Sequence, residues 1–580
     1  MAFTRAPCTA SDAAPRRGGR SAPTFAVWTV LLAGVSACGG SVDGPVADLI
    51  VINANVWTVD RDRPTAEAIA IIGDRIAAVG DAVQIDAWRS SETIVVDAGG
   101  RLVLPGFNDA HVHLVQAGHQ LDSVQLKDAD SPAEFTQRIA DFAASVPAGE
   151  WILGGDWDEQ LWTPPDLPTR QLIDHVTPNH PVYIIRYDGH QALANTRALE
   201  LAGITMSTTD PPGGEILRDG AGAPTGILKM AARDLVAGIV PPLSPELRRR
   251  AATRALEQMA AAGVTSATDM GTSADDAALF MELEASGRLT TRLYLAPMET
   301  DWQDQANVGI RRGFGSAFLR LGALKGYVDG SLGSSTALFF EPYLHEPEST
   351  GMLTEEFTPF EDARTRLLSA DDAGLQIALH AIGDRGISMT LDLFEELAVL
   401  NGQRDRRLRI EHAQHLVELD FARFAELDVI ASVQPYHAVD DGRWAENRIG
   451  PDRAKTTYAF RTFLDHGVRL ALGTDWNGAP IEPMLTLYAA VTRATLDGRH
   501  PDGWVPEQKL TLGEAIEAYT LGSAYAEFQE QDKGSIERGK LADLVILSDD
   551  IFSMPPEDLP TVSVVTTIVG GQIVYSANTP

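Results

Sequence analysis

His111 and His113, in the run PGFNDAHVHLV (105–115), stand two apart, and alternate residues on a β-strand point to the same side. Two imidazoles are thereby aimed at one point. A bare His-x-His also occurs as a packed or solvated pair. Its weight here comes from Lys325, His380, His412 and Asp475, each in or at the end of a short apolar run that reads as a strand: LGALKGYVDGSLGSSTA, LQIALHAIGD, RLRIEHAQH and RLALGTDWN. Imidazole and carboxylate are ligands of divalent metals, and the chemistry such a group supports is hydrolysis, with water activated near neutral pH and a carbonyl polarised.

The spacing of these runs says what presents them. Strand-like runs begin near Val264, Arg292 and Leu321, close to the roughly 30 residues of one strand-helix-strand unit. Further runs start near Leu375, Arg407, Val429 and Arg469, so with the His-x-His strand there are eight. Between them lie helical patterns such as SPELRRRAATRALEQMAAAG (244–263), with Ser-Pro at the start and Gly after the last apolar position. Eight alternating units predict an α/β fold, a (β/α)8 TIM barrel over 105–532, whose strand ends converge on one mouth. Residues 116–250 are too many for an ordinary loop and predict a lid-like insertion after the first barrel strand. Residues 47–104 and 533–577 carry β patterns between Gly, Asn and Asp turns. The simplest account pairs them into one small composite β-sandwich; two separate ribbons against the barrel are the alternative.

The order His-x-His, Lys, His, His, Asp over successive strands resembles the amidohydrolase superfamily in its binuclear, carboxylated-lysine form. The motifs PGFNDAHVHL, GGDWDEQLW (154–162), RYDGHQALANTRAL (186–199), PPGGEILRD (211–219), KGYVDGSLGSSTA, ALHAIGD, RIEHAQ and GTDWN are similar to the amidohydrolase 3 branch, which includes N-substituted formamide deformylases. The likeness runs from about Ala47 to about Tyr575. It implies that His111, His113 and Asp475 hold one divalent ion and His380 and His412 a second, with Lys325 bridging them as a CO2-derived carbamate. Zn2+ is the first expectation, and Mn, Fe or Co suit the same ligands. An unmodified lysine would not serve, because its ammonium, with a reference pKa of about 10.4, repels cations and has no lone pair. Most lysines are surface residues, but this chain has 7 lysines among its 47 basic residues, and Lys325 sits inside an apolar strand pattern.

The activity implied is hydrolysis of a non-peptide C–N bond, an amide or N-substituted formamide, by a metal-activated hydroxide. Asp475 would take the proton and deliver it to the leaving nitrogen. The same barrel also supports a deaminase, a cyclic-amide or ester hydrolase, or an isomerase. A third reading is a non-catalytic, lipid-anchored binding protein, and six competent ligand positions weigh against it. Trp157, Asp158, Arg186 and His190 are candidates for the substrate pocket, with Arg186 a binder of a substrate carboxylate or the partner of a neighbouring acid. His415 falls outside the ligand pattern. His119, His175, His180, His345, His437, His466 and His500 lack a matching strand context and read as structural or solvated.

The first residues carry a different message. Arg16, Arg17 and Arg20 precede an apolar run from Phe25 to Val35, and VSAC (35–38) followed by Gly39, Gly40 and Ser41 resembles a bacterial lipoprotein signal. The run is short of the roughly 20 residues that span a bilayer. A signal over 1–37, lipidation at Cys38 and a linker over 38–46 are the expectation, which places the protein in the cell envelope with membrane contact only through that anchor. A simple cleaved signal or an uncleaved anchor are the alternatives. The only cysteines are Cys8 and Cys38, so processing leaves no pair to oxidise. A formal charge of −33 argues against nucleic acid as a partner and leaves a small-molecule substrate. A homodimer is common in the superfamily.

Overall fold

In the computed structural model, which describes residues 45–577, the site is carried by eight strands that alternate with helices. The expected export signal and Cys38 lie outside the described residues. The strands are β1 (Phe107–Val112), β2 (Val264–Met270), β3 (Arg292–Ala296), β4 (Ala323–Tyr327), β5 (Gln376–Ala381), β6 (Arg409–His412), β7 (Ile430–Val433) and β8 (Leu470–Leu472). They form two parallel arcs, one running β1-β2-β3 and on to a short piece, Leu319–Leu321, the other running β4 to β8. Gly322 separates the arcs with φ 112°, and a Cβ there would lie 2.2 Å from the Arg311 carbonyl oxygen, so only glycine allows this break. The arcs meet again through single parallel bridges, Met298 with Lys325 at one seam and Val112 with Trp476 at the other. The architecture is of the α/β TIM-barrel type.

The helix Pro245–Ala262 shows how the local signals act. The Ser244 hydroxyl accepts from Leu247 N at its start, and Gly263 with φ 80° closes its end. Its buried face, Ala252, Ala255 and Met259 among others, packs into the main core with Leu114, Phe107 and Val264. Burying a side chain such as Met259 contributes about 1.5–3 kcal/mol.

Both chain ends contribute strands beside this core. Leu544–Leu547 pairs antiparallel with Leu102–Pro105, placing Val545 opposite Leu104. That sheet and a four-stranded sheet centred on Leu49–Ile52 and Ala68–Ile72 share a core of Val51, Ile69, Val103 and Ile546. The segment after β1 builds a six-stranded sheet with a core of its own, including Phe135, Trp157, Trp162 and Ile184. Among the described residues no helix is long and apolar enough to cross a membrane.

Candidate metal centre

The carboxyl ends of the strands bring the six sequence candidates to one mouth. His111 lies in β1 and His113 directly follows it, Lys325 lies in β4, His380 in β5 and His412 closes β6. Asp475 follows β8, where its N–H donates to the His111 carbonyl at 2.8 Å. His412 and Asp475 have φ of 74° and 63°, left-handed values that cost a non-glycine residue on the order of 1–3 kcal/mol and cluster at functional sites. Gly473 permits the approach of β8 to β1, since a Cβ there would stand 2.7 Å from His111 N.

The hydrogen bonds fix which nitrogen of each ring faces inward. His111 Nδ1 donates to Glu411 at 2.7 Å, His113 Nδ1 to the Met270 carbonyl at 2.9 Å and His412 Nδ1 to Gln434 Oε1 at 2.9 Å. His380 is turned the other way, its Nε2 donating to the Gly330 carbonyl at 3.1 Å. Every one of these acceptors is an oxygen without a proton to give, so each imidazole keeps an inward lone pair, as metal-bound histidines do. Arg409 completes the support by donating to Glu411 Oε1 at 2.7 Å and to the Ala110 carbonyl at 2.6 Å.

Asp475 Oδ1 lies 3.5 Å from His111 Nε2 and 3.4 Å from His113 Nε2. These separations are long for hydrogen bonds. They equal the ligand-to-ligand edge of about 3.4 Å that a tetrahedral ion makes when each ligand stands about 2.1 Å away. The Lys325 amine is 3.3 Å from His111 Nε2, and the His380 and His412 rings are 4.5 Å apart between centroids. This donor set fits divalent metal. Two groups have metal-ligand spacing among the described residues, His111 with His113 and Asp475, and His412 with His437 and Asp475.

Burial sets the electrostatics. It holds the Lys325 amine down to about 8, although Glu411 and Asp475 pull the other way. Burial likewise lowers His111 to about 4, with the Lys325 cation adding to the effect, and takes His380 and His412 well below the usual histidine range. Burial would raise Glu411, but Arg409 and His111 reverse it and keep the carboxylate ionised. Neutral imidazoles beside an ionised carboxylate are the protonation states a cation requires.

A cavity of about 680 Å3 opens over the centre, with Met230, Met270, Met298 and Leu332 in its wall. His190 faces it from the insertion, its ring 5.0 Å from that of His380. The other expected pocket residues are engaged by protein partners. Trp157 is fully buried in the insertion's own core, its indole donating to the Ile184 carbonyl at 3.2 Å. Asp158 is buried between Arg443 at 2.8 Å and Arg186 at 3.4 Å. Arg186 borders the cavity but is fully buried, and Glu159 and Asp188, each at 2.8 Å, already occupy its donors. The paired-acid alternative for Arg186 therefore describes it, and it has no free edge for a substrate carboxylate.

His437, read from sequence as structural, reaches the centre, with Nε2 3.2 Å from Asp475 Oδ2. It sits beyond the end of β7 on the helix Pro435–Asp441, where two-residue strand periodicity gives no aim. The one usable signal was its place just past a barrel strand. His415 is buried and bonded through Nδ1 to Thr457 at 2.9 Å, away from the ligand set.

Residues 94–575 match the model of the amidohydrolase family. The chain belongs to the amidohydrolase family. Like other members it is a metal-dependent hydrolase acting on carbon–nitrogen bonds. This amidohydrolase is 38% identical over 544 residues to "Protein LONG AFTER FAR-RED 3" of Arabidopsis thaliana, covering 92% of both chains. It is 30% identical over 547 residues to the N-substituted formamide deformylase of Arthrobacter pascens, covering 91% of this chain and 98% of that one. Among solved structures, an uncharacterized metal-dependent hydrolase from Pyrococcus horikoshii superposes with a TM-score of 0.71 at 28% identity, over 88% of this amidohydrolase and 99% of that chain.

Proposed function

We propose that this amidohydrolase binds two divalent ions, Zn2+ before Mn, Fe or Co, and hydrolyses a small non-peptide amide such as an N-substituted formamide. The observation that carries the reading is the set of four imidazoles with anchored outer N–H groups around Asp475 and a buried lysine. His111, His113 and Asp475 would hold one ion, and His380 with His412 the other. Lys325, as a carbamate, would bridge them, since a buried ammonium beside two cations is electrostatically untenable. Ions in such a site activate water and polarise a carbonyl. Asp475 takes the proton of the attacking water and passes it to the leaving nitrogen, which must be protonated before the C–N bond breaks. His190 lines the cavity beside His380, within reach of a bound amide, and the Met-rich wall suits an apolar N-substituent. The deformylase relative, similar over nearly its whole length, supports the formamide class.

The test is Asp475→Asn assayed with metal restored. The amide oxygen can still ligate but cannot carry the proton, so kcat should fall about 10²- to 10⁴-fold while metal analysis returns the wild-type ion content. Full turnover in that variant would remove Asp475 from the proton path.

A further inference from the structure

His437 differs from the four histidines whose outer nitrogens are tied down. Its Nδ1 has no hydrogen-bond partner among the described residues, and its Nε2 meets Asp475 Oδ2 at 3.2 Å. An ionised carboxylate can only accept, so a hydrogen bond at this distance takes Nε2 as the protonated nitrogen, which then offers no lone pair to a metal. The two oxygens of Asp475 are thereby divided, Oδ1 facing His111 and His113, Oδ2 facing His437. An unheld carboxylate could rotate and spend both oxygens on one ion, leaving none for a proton.

We propose that His437 is a positioning residue that holds Asp475 with one oxygen toward the ions and the other toward the substrate. This rests on the reading of Asp475 as proton carrier. The helix that carries His437 is in turn pinned from the insertion: Tyr187 donates to Asp441 at 3.2 Å, and Lys127 lies 3.5 Å from Asp440. Arg443, just past that helix, donates to Asp158 at 2.8 Å. The insertion thus reaches the reacting carboxylate through one short helix, so its seating and the aim of Asp475 are coupled.

The experiment compares His437→Leu with His437→Gln in the full chain, loaded with Co2+ and assayed on N-cyclohexylformamide. The Gln amide can donate from about the reach of Nε2; Leu cannot donate. Both variants should keep the wild-type ion count. In H437L the visible absorption band of bound Co2+ should shift and kcat fall about 10- to 100-fold, as for the loss of other groups that orient a metal ligand, with KM within about twofold. H437Q should keep the wild-type band and most of the turnover. Loss of an ion in both variants would make His437 a ligand, and an unchanged band with unchanged kcat in H437L would show that it has no hold on Asp475; either result overturns the proposal. Should H437L fail to fold, His437→Asn, whose shorter amide does not reach Oδ2, makes the same comparison. A wild-type protein that hydrolyses no amide would sink the functional reading, while ion count and cobalt band still decide the role of His437.

Discussion

Lys325 is fully buried, and among the described residues its amine forms no ion pair; it meets the lone-pair side of His111 at 3.3 Å and the face of Tyr327 at 4.5 Å. Such a position suits a group that becomes an anion by reacting with CO2. Protein equilibrated with 13C-labelled bicarbonate should show a carbamate carbonyl resonance in NMR that Lys325→Ala lacks, and the variant should lose about 10³-fold in turnover, the several kcal/mol that a correctly held metal supplies. An identical spectrum from the two proteins would exclude the carbamate. This lysine was legible in the sequence because strand pattern and chemistry coincide there. Arg186 was not, because its acids Asp158 and Glu159 come from 28 and 27 residues away and only folding shows that they pair with it. His437 was hidden for another reason: a helical turn, not a strand, points it.

The strand starts were readable from apolar runs and their spacing, whereas the break at Gly322 was not, since one glycine among 51 carries no mark of its φ. Helix starts can be tested in isolation. At the helix Leu512–Glu517, Thr511 and Glu514 form a capping box, and Arg461 Nη1 donates to Glu514 at 3.0 Å. Its hydrogen bond to Arg461, before any other contact, takes the Glu514 carboxyl down to about 2 from 4.5. A lowered carboxyl stabilises the fold above its unfolded value, so the contribution is full above about pH 4.5 and disappears as pH falls toward 2. Glu514 is 34% exposed, and solvent screening reduces the gain to about 1 kcal/mol. Glu514→Gln should therefore lower the thermal midpoint by about 1 °C at pH 7 and by nothing near pH 2. An equal loss at both pH values would mean that the cap, rather than the charge, is what matters.

Across the whole molecule, the insertion is fastened to the barrel loops by buried charge. Arg186, Asp158, Glu159, Asp188 and Arg443 form one network with almost no solvent access. Arg186→Met takes the cation from buried Glu159 and Asp188 and leaves Asp158 to Arg443 alone, and should cost about 3–5 kcal/mol, read as faster proteolysis within residues 116–250 and a lower thermal midpoint. A cleavage pattern like that of wild type would show that the apolar core of the insertion holds it unaided.

The single-bridge seams between the two strand arcs have a consequence for the living range of this enzyme. Two of the proposed ligands belong to the arc that begins with β1, and four to the arc from β4 onward, so an ion shared by His111, His113 and Asp475 would act as a rivet across a hoop that backbone bonding joins by single bridges. Cations at a hundred times their dissociation constant would add about 2.7 kcal/mol to the folded state. Stripping with a chelator should drop the melting temperature, and stepwise return of Zn2+ should raise it again. Scarcity of metal would then disarm the catalyst and loosen its frame in the same stroke.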